Sequence, residues 1–212
     1  PVSDTRCNIG RGDRIAIGVP VFTPYIEMPG LEEFQLEIVQ VHQDSLAEDG
    51  SHSWQYTEEQ IKKLEDPTVK AFFVVNPSNP PSFAIHQQTI DRIVEIVRTK
   101  RPDLMILTDD VYGTFVPGFR SLYADLPHNT ILVYSFSKHF GCTGWRLGVI
   151  GVHQDNVFDE LIAKLPAATK STLITRYGSL TTEPEKMKFI DRMVAESRCV
   201  ALNHTAGLSL PQ

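Results

Sequence analysis

Ile131-Leu132-Val133-Tyr134-Ser135-Phe136-Ser137-Lys138-His139-Phe140-Gly141-Cys142-Thr143-Gly144-Trp145-Arg146-Leu147-Gly148 passes from four apolar residues to hydroxyls, one lysine and glycines, with an arginine eight positions after the lysine. The apolar run, rich in β-branched and aromatic residues, predicts a strand, and the glycine-rich part predicts the loop that follows it. A lysine carried at the carboxyl end of a strand occupies the place where open α/β sheets bind their ligands. Its amine can condense with a carbonyl to form an imine. A nearby arginine, with serine hydroxyls and glycine backbone N–H groups, can cradle a phosphate.

Outward from this stretch, short apolar runs alternate with helical patterns. Strands are expected at Arg14–Gly18, Leu36–Val41, Ala71–Val75, Leu104–Thr108, Thr130–Ser135 and Gly148–Val152. Most are continuous apolar runs, as in strands covered on both faces. Thr57-Glu58-Glu59-Gln60 is a capping box that opens a short helix ending before Pro67. In Gln87–Lys100 the residues Ile90, Ile93, Val94 and Val97 recur at i, i+3, i+4 and i+7, so a helix with one apolar face is expected. Asp155 is the expected cap of a helix over Asn156–Lys164, and residues 166–182 read as a loop. Thr182-Glu183-Pro184-Glu185 predicts the start of a helix of about twenty residues running toward Leu202. This alternation predicts an α/β domain with a mostly parallel sheet.

Composition narrows the class. The chain has 212 residues, 42% hydrophobic and 22% charged, as in an ordinary globular protein. A net charge of −6 argues against a general nucleic-acid partner. No apolar run reaches the ~18 residues of a membrane span, and no membrane partner is expected. Cys7, Cys142 and Cys199 lie far apart, without metal or disulfide spacing, which fits a reducing cytoplasm. The chain starts at Pro1 without Met, and it reads as part of a longer protein.

Four of the expected strand ends carry polar clusters: Val19-Pro20 through Tyr25, Asn76-Pro77-Ser78-Asn79, Asp109-Asp110-Val111-Tyr112, and Ser135 through Lys138. Together they match the needs of pyridoxal 5'-phosphate, whose aldehyde needs a lysine, whose phosphate needs an anion cradle and whose pyridine nitrogen needs a carboxylate. Lys138 is the candidate imine lysine. Ser135 and Arg146 are candidates for the phosphate, the planar guanidinium suiting it better than an ammonium. Asp109 is the candidate partner of the ring nitrogen, Asn76 and Tyr112 the candidate donors to the ring phenolate oxygen, and Phe22 the aromatic against the ring face. Each has an ordinary reading on its own: a solvated lysine, a turn-capping aspartate, a proline-punctuated turn, a core phenylalanine. Their order after successive apolar runs is what joins them.

The sequence Pro-x-Phe, Asn-Pro-x-x, Asp-x-x-Tyr, Ser-x-Ser-Lys and the later arginine resembles the fold-type I pyridoxal-phosphate enzymes, the aspartate aminotransferase superfamily, from about Gly12 to Val152. The resemblance implies a three-layer α/β/α cofactor domain, with residues 1–165 as its portion here and 166–212 leading toward a small domain. It implies that Lys138 is catalytic and that Phe22, Asn76, Asp109, Tyr112, Ser135 and Arg146 bind the cofactor. Many members have glycine where Asn79 stands, and asparagine tolerates a left-handed backbone better than most residues. The family's glycine phosphate loop is expected before Pro1, and its substrate-carboxylate arginine after Gln212.

Pro20-Val21-Phe22-Thr23-Pro24-Tyr25, Asn76-Pro77-Ser78-Asn79-Pro80-Pro81-Ser82, Arg176–Thr182 and Leu202–Ser209 are similar to the aspartate β-decarboxylase branch of that family. That likeness implies conversion of aspartate to alanine and carbon dioxide beside aminotransferase activity. Its partners would be an amino acid, a 2-oxo acid and further copies of the chain, with the site at a dimer interface. A general amino-acid aminotransferase and a non-catalytic regulator or inert fragment are the other readings. Arg6, Arg11 and Arg14 are minor candidates for substrate carboxylates, against a solvated surface role.

Overall fold

The computed structural model of the chain describes residues 9–203 apart from 33, 44 and 45; Arg6, Cys7, the Cys199 side chain and the segment from His204 onward lie outside the described residues. Among the described residues six strands form one sheet: β1 (Arg14–Val19), β2 (Glu37–His42), β3 (Val69–Val75), β4 (Met105–Asp109), β5 (Thr130–Ser135) and β6 (Gly148–Val152). Their order is β2-β1-β3-β4-β5-β6. The first five run parallel, and β6 is antiparallel to β5. The order reverses direction at β1, and the crevice beside its carboxyl end is where such sheets bind ligands.

Among the described residues seven α-helices accompany the sheet: α1 (Pro24–Glu27), α2 (Glu58–Lys62), α3 (Gln87–Thr99), α4 (Leu122–Asp125), α5 (Val157–Ala163), α6 (Ala167–Tyr177) and α7 (Phe189–Asn203). Side chains alternate between the faces of a strand. Phe72, Val74 and Ile106 therefore face one way and pack with Ile61, Ile90, Ile93, Ile96 and Leu122 from α2, α3 and α4. Met105 faces the other way and packs with Phe158, Ile162, Leu173, Tyr177 and Phe189 from α5, α6 and α7. Helices on both faces of a mostly parallel sheet make the three-layer α/β/α arrangement.

Three expectations are corrected. Residues 166–182 are not a loop, since α6 occupies most of them and buries Leu173 and Tyr177. Its polar composition hid it, because only these two side chains carry its packing face. Thr182 does not open a long helix. Pro184–Lys186 forms a single 3₁₀ turn, and Met187 is extended. The true start at Phe189 is held from a distance, its N–H donating to Asp159 Oδ1 at 2.7 Å, while the Arg192 guanidinium donates to the Met187 and Pro184 carbonyls. The cap of α5 is Asn156 rather than Asp155: its Oδ1 accepts from the Asp159 N–H at 2.8 Å. The Asn156 amide nitrogen also donates to the His153 carbonyl and to Asp159 Oδ2. Asn156→Ala removes all three bonds, and chemical denaturation is expected to show a loss of about 1–2 kcal/mol.

Candidate active site

A row across three strands makes the floor of the site. Val75, Asp109 and Val133 are register partners on β3, β4 and β5, and all three line a cavity of about 440 Å³ at the carboxyl ends of these strands. This lies within the range of small-molecule sites. The two valines make an apolar base, and Asp109 places one buried carboxylate in its middle. The adjacent Asp110 points away by strand alternation: its Oδ1 accepts from Thr108 Oγ1 at 2.6 Å, and it does not line the cavity. Burial pushes the Asp110 carboxyl up from its ordinary range.

The walls come from the loops. Phe22 and Tyr25 follow β1, Asn79 follows β3, Val111 and Tyr112 follow β4, and Ser135, Ser137, Lys138, Thr143 and Arg146 belong to the end of β5 and its loop. Ser135 Oγ donates to Ser137 Oγ at 3.0 Å and accepts the Ser137 N–H at 3.2 Å, which bends the chain as it leaves β5 and presents Lys138. Gly141, at φ +65°, then closes a turn with its N–H on the Lys138 carbonyl at 3.2 Å. Arg146 also has a left-handed backbone, φ 50° and ψ 40°, and its guanidinium donates to the Thr143 carbonyl at 3.0 Å. The return to β6 is tight: a Cβ on Gly148 would sit 2.9 Å from the Tyr134 carbonyl oxygen.

The structure thus brings Phe22, Asp109, Tyr112, Ser135, Lys138 and Arg146 to one cavity. Asn76 is not among its wall residues. The Asn76 N–H still donates to the Asp109 carbonyl at 3.0 Å, so its backbone continues the ladder of β3. Its side chain is buried, and Oδ1 accepts the Ile85 N–H at 3.0 Å. Asn79, three residues further round the turn, reaches the wall instead. Residues at the wall that sequence reasoning did not single out are Tyr25, Asn79, Ser137 and Thr143. Two signals were available: Tyr25 stands one helical turn after Phe22, and Asn-Pro occurs twice in Asn76–Pro80.

A neighbouring cavity of about 720 Å³ shares Asn79, Tyr112, Ser137, Lys138 and Thr143 and adds Phe115, Val116 and Ser82. Lys138 therefore stands between two spaces, one floored by Asp109 and one open beyond it. Of the minor arginine candidates, Arg14 begins β1, at the opposite end of the parallel strands, where it pairs with Asp66 at 2.8 Å. Arg11 donates to the Glu32 carbonyl at 3.0 Å. Neither lines either cavity. No described helix is long and apolar enough to cross a membrane.

The family model described as aminotransferase class I and II matches residues 4–195. A bifunctional aspartate aminotransferase and L-aspartate β-decarboxylase from Pseudomonas sp. is 57% identical over 201 residues, which is 95% of this chain and 37% of that protein. The chain thus spans well under half of the relative's length. Among solved structures, a Thermus thermophilus aspartate aminotransferase mutant matches with a TM-score of 0.59 at 18% identity, over 96% of this chain and 51% of that one. Cystalysin from Treponema denticola, solved with a pyridoxal 5'-phosphate cofactor, matches with a TM-score of 0.58 at 21% identity, over 93% and 48%.

Proposed function

Because the chain belongs to the class I and II aminotransferase family, we propose that it is part of a pyridoxal-phosphate enzyme that converts L-aspartate to alanine and carbon dioxide and also transaminates. The observation that carries this reading is the single cavity holding the Lys138 amine, the Asp109 carboxylate and the serine and arginine groups of one loop. The donor set fits the cofactor at each of its ends. The likeness to the bifunctional Pseudomonas enzyme favours aspartate as the substrate.

When bound, the cofactor supplies an aldehyde for the substrate amine and an electron-withdrawing ring that loosens the α-proton and, with aspartate, the β-carboxylate. The residues of this chain do the rest. Ser135, Ser137, Thr143 and Arg146 would hold the phosphate. Asp109 keeps a proton on the ring nitrogen, and a carboxylate in a dry floor does this better than one in water. Tyr112 and the Asn76 amide nitrogen would donate to the phenolate oxygen, and Phe22 would lie against the ring. Lys138 Nζ would take the α-proton of the substrate and return it. On this reading residues 1–165 are the cofactor-binding portion, residues 166–212 lead toward a small domain, and the enzyme is a cytoplasmic homo-oligomer with its site at a subunit interface.

The test is product analysis. Protein loaded with pyridoxal 5'-phosphate and given L-aspartate is expected to release carbon dioxide and alanine in equal amounts. Release of oxaloacetate alone, with a 2-oxo acid as amino acceptor, would replace the decarboxylase with a general aminotransferase. No product of either kind would remove both.

A further inference from the structure

We infer that Tyr25 is a positioning residue that fixes the Asp109 carboxylate for the cofactor's ring nitrogen; this rests on the reading given under Proposed function. Tyr25 Oη donates to Asp109 Oδ2 at 2.9 Å, across 84 positions of sequence. The other carboxylate oxygen, Oδ1, accepts the Val111 N–H at 3.1 Å. With one donor on each oxygen, the carboxylate plane cannot turn about its terminal bond. Each oxygen still has a lone pair free for a proton held by a ligand.

The hydroxyl is itself held in place. Its ring meets Phe73 of β3 edge-on at 4.4 Å between centroids and Phe22 edge-on at 5.8 Å. Burial, and then the charge of Asp109, push the Tyr25 phenol well above its ordinary range. The group therefore stays a neutral donor wherever the enzyme works. The hydroxyl holds Asp109 Oδ2 where it can accept a proton borne by a pyridine nitrogen. Tyr25 touches neither the reacting carbon nor the lysine by this argument. It acts through Asp109, and its donation is prearranged before any ligand arrives.

A double-mutant cycle read by cofactor affinity tests this. Wild type, Tyr25→Phe, Asp109→Asn and the double variant are titrated with pyridoxal 5'-phosphate, followed by visible absorbance and run to millimolar cofactor so that weakened proteins stay on scale. Tyr25→Phe keeps the ring contacts with Phe22 and Phe73, so the fold is retained. It is expected to weaken binding roughly 10-fold, as loss of a hydrogen bond to a charged group does. In the Asp109→Asn background the same change is expected to alter affinity by less than about twofold. Equal loss in both backgrounds assigns Tyr25 to packing and overturns the inference, and so does no loss in either. In both cases wild type still binds cofactor and the proposed function stands. A wild type that takes up no cofactor overturns the two together.

Discussion

Lys138→Ala is expected to bind pyridoxal 5'-phosphate without any bond that borohydride can fix to the chain. Wild type treated in the same way gains the mass of one reduced cofactor, on the peptide that contains Lys138. Loss of the general base alone lowers turnover by about 10²–10⁴-fold, and loss of the covalent attachment adds to that. Intact-mass and peptide mass spectrometry read the first result, and a coupled assay for oxaloacetate or alanine reads the second. Label that persists on the Ala variant moves the attachment to another amine. His139 and Phe140 beside Lys138 are both exposed, and the loop carries no buried part of the core, so the variant remains folded.

The second large effect is at the floor. Asp109→Asn keeps the size of the side chain and removes the charge that would hold a proton on the ring nitrogen in a buried place. Losing one partner of a buried charge pair costs about 2–5 kcal/mol, which is roughly 30-fold to several thousand-fold in turnover. The chain's own contacts sharpen this. The Tyr25 hydroxyl and Val111 N–H that hold the carboxylate now meet an amide with only one accepting atom, so one of the two donors is left unmatched. Kinetic analysis with L-aspartate at saturating cofactor checks it, and a loss below threefold would remove Asp109 from the chemistry.

The strands and the residues that end them were legible in sequence because both signals are local. An apolar run bounded by turn residues names a strand, and its last polar residue names a position at the carboxyl edge. Asp109, Ser135 and Lys138 were read in that way. The misreadings arose where one position depended on contacts elsewhere. Asn76 ends β3 as expected, its backbone following the ladder to Asp109, but that its Oδ1 is held by the Ile85 N–H is a contact the sequence does not show. Only the path of the turn through Pro77 and Ser78 shows that Asn79 is the asparagine at the wall. Tyr25 was quoted as part of a motif and given no role, because a hydrogen bond across 84 positions leaves no periodic trace. The helix α6 was lost for the opposite reason: two buried residues in eleven are too few to set a pattern.

The wall of the cavity runs from Phe22 to Arg146 in sequence and takes residues from the ends of four strands. A ligand that needs several of these pieces at once binds the assembled sheet in preference to the unfolded chain. By mass action such a ligand stabilises the native state in proportion to the logarithm of its concentration over its dissociation constant. The cofactor on this reading is thus also a thermodynamic clasp. Protein short of it would hold a larger unfolded fraction, so the cofactor's concentration would bear on stability as well as on activity.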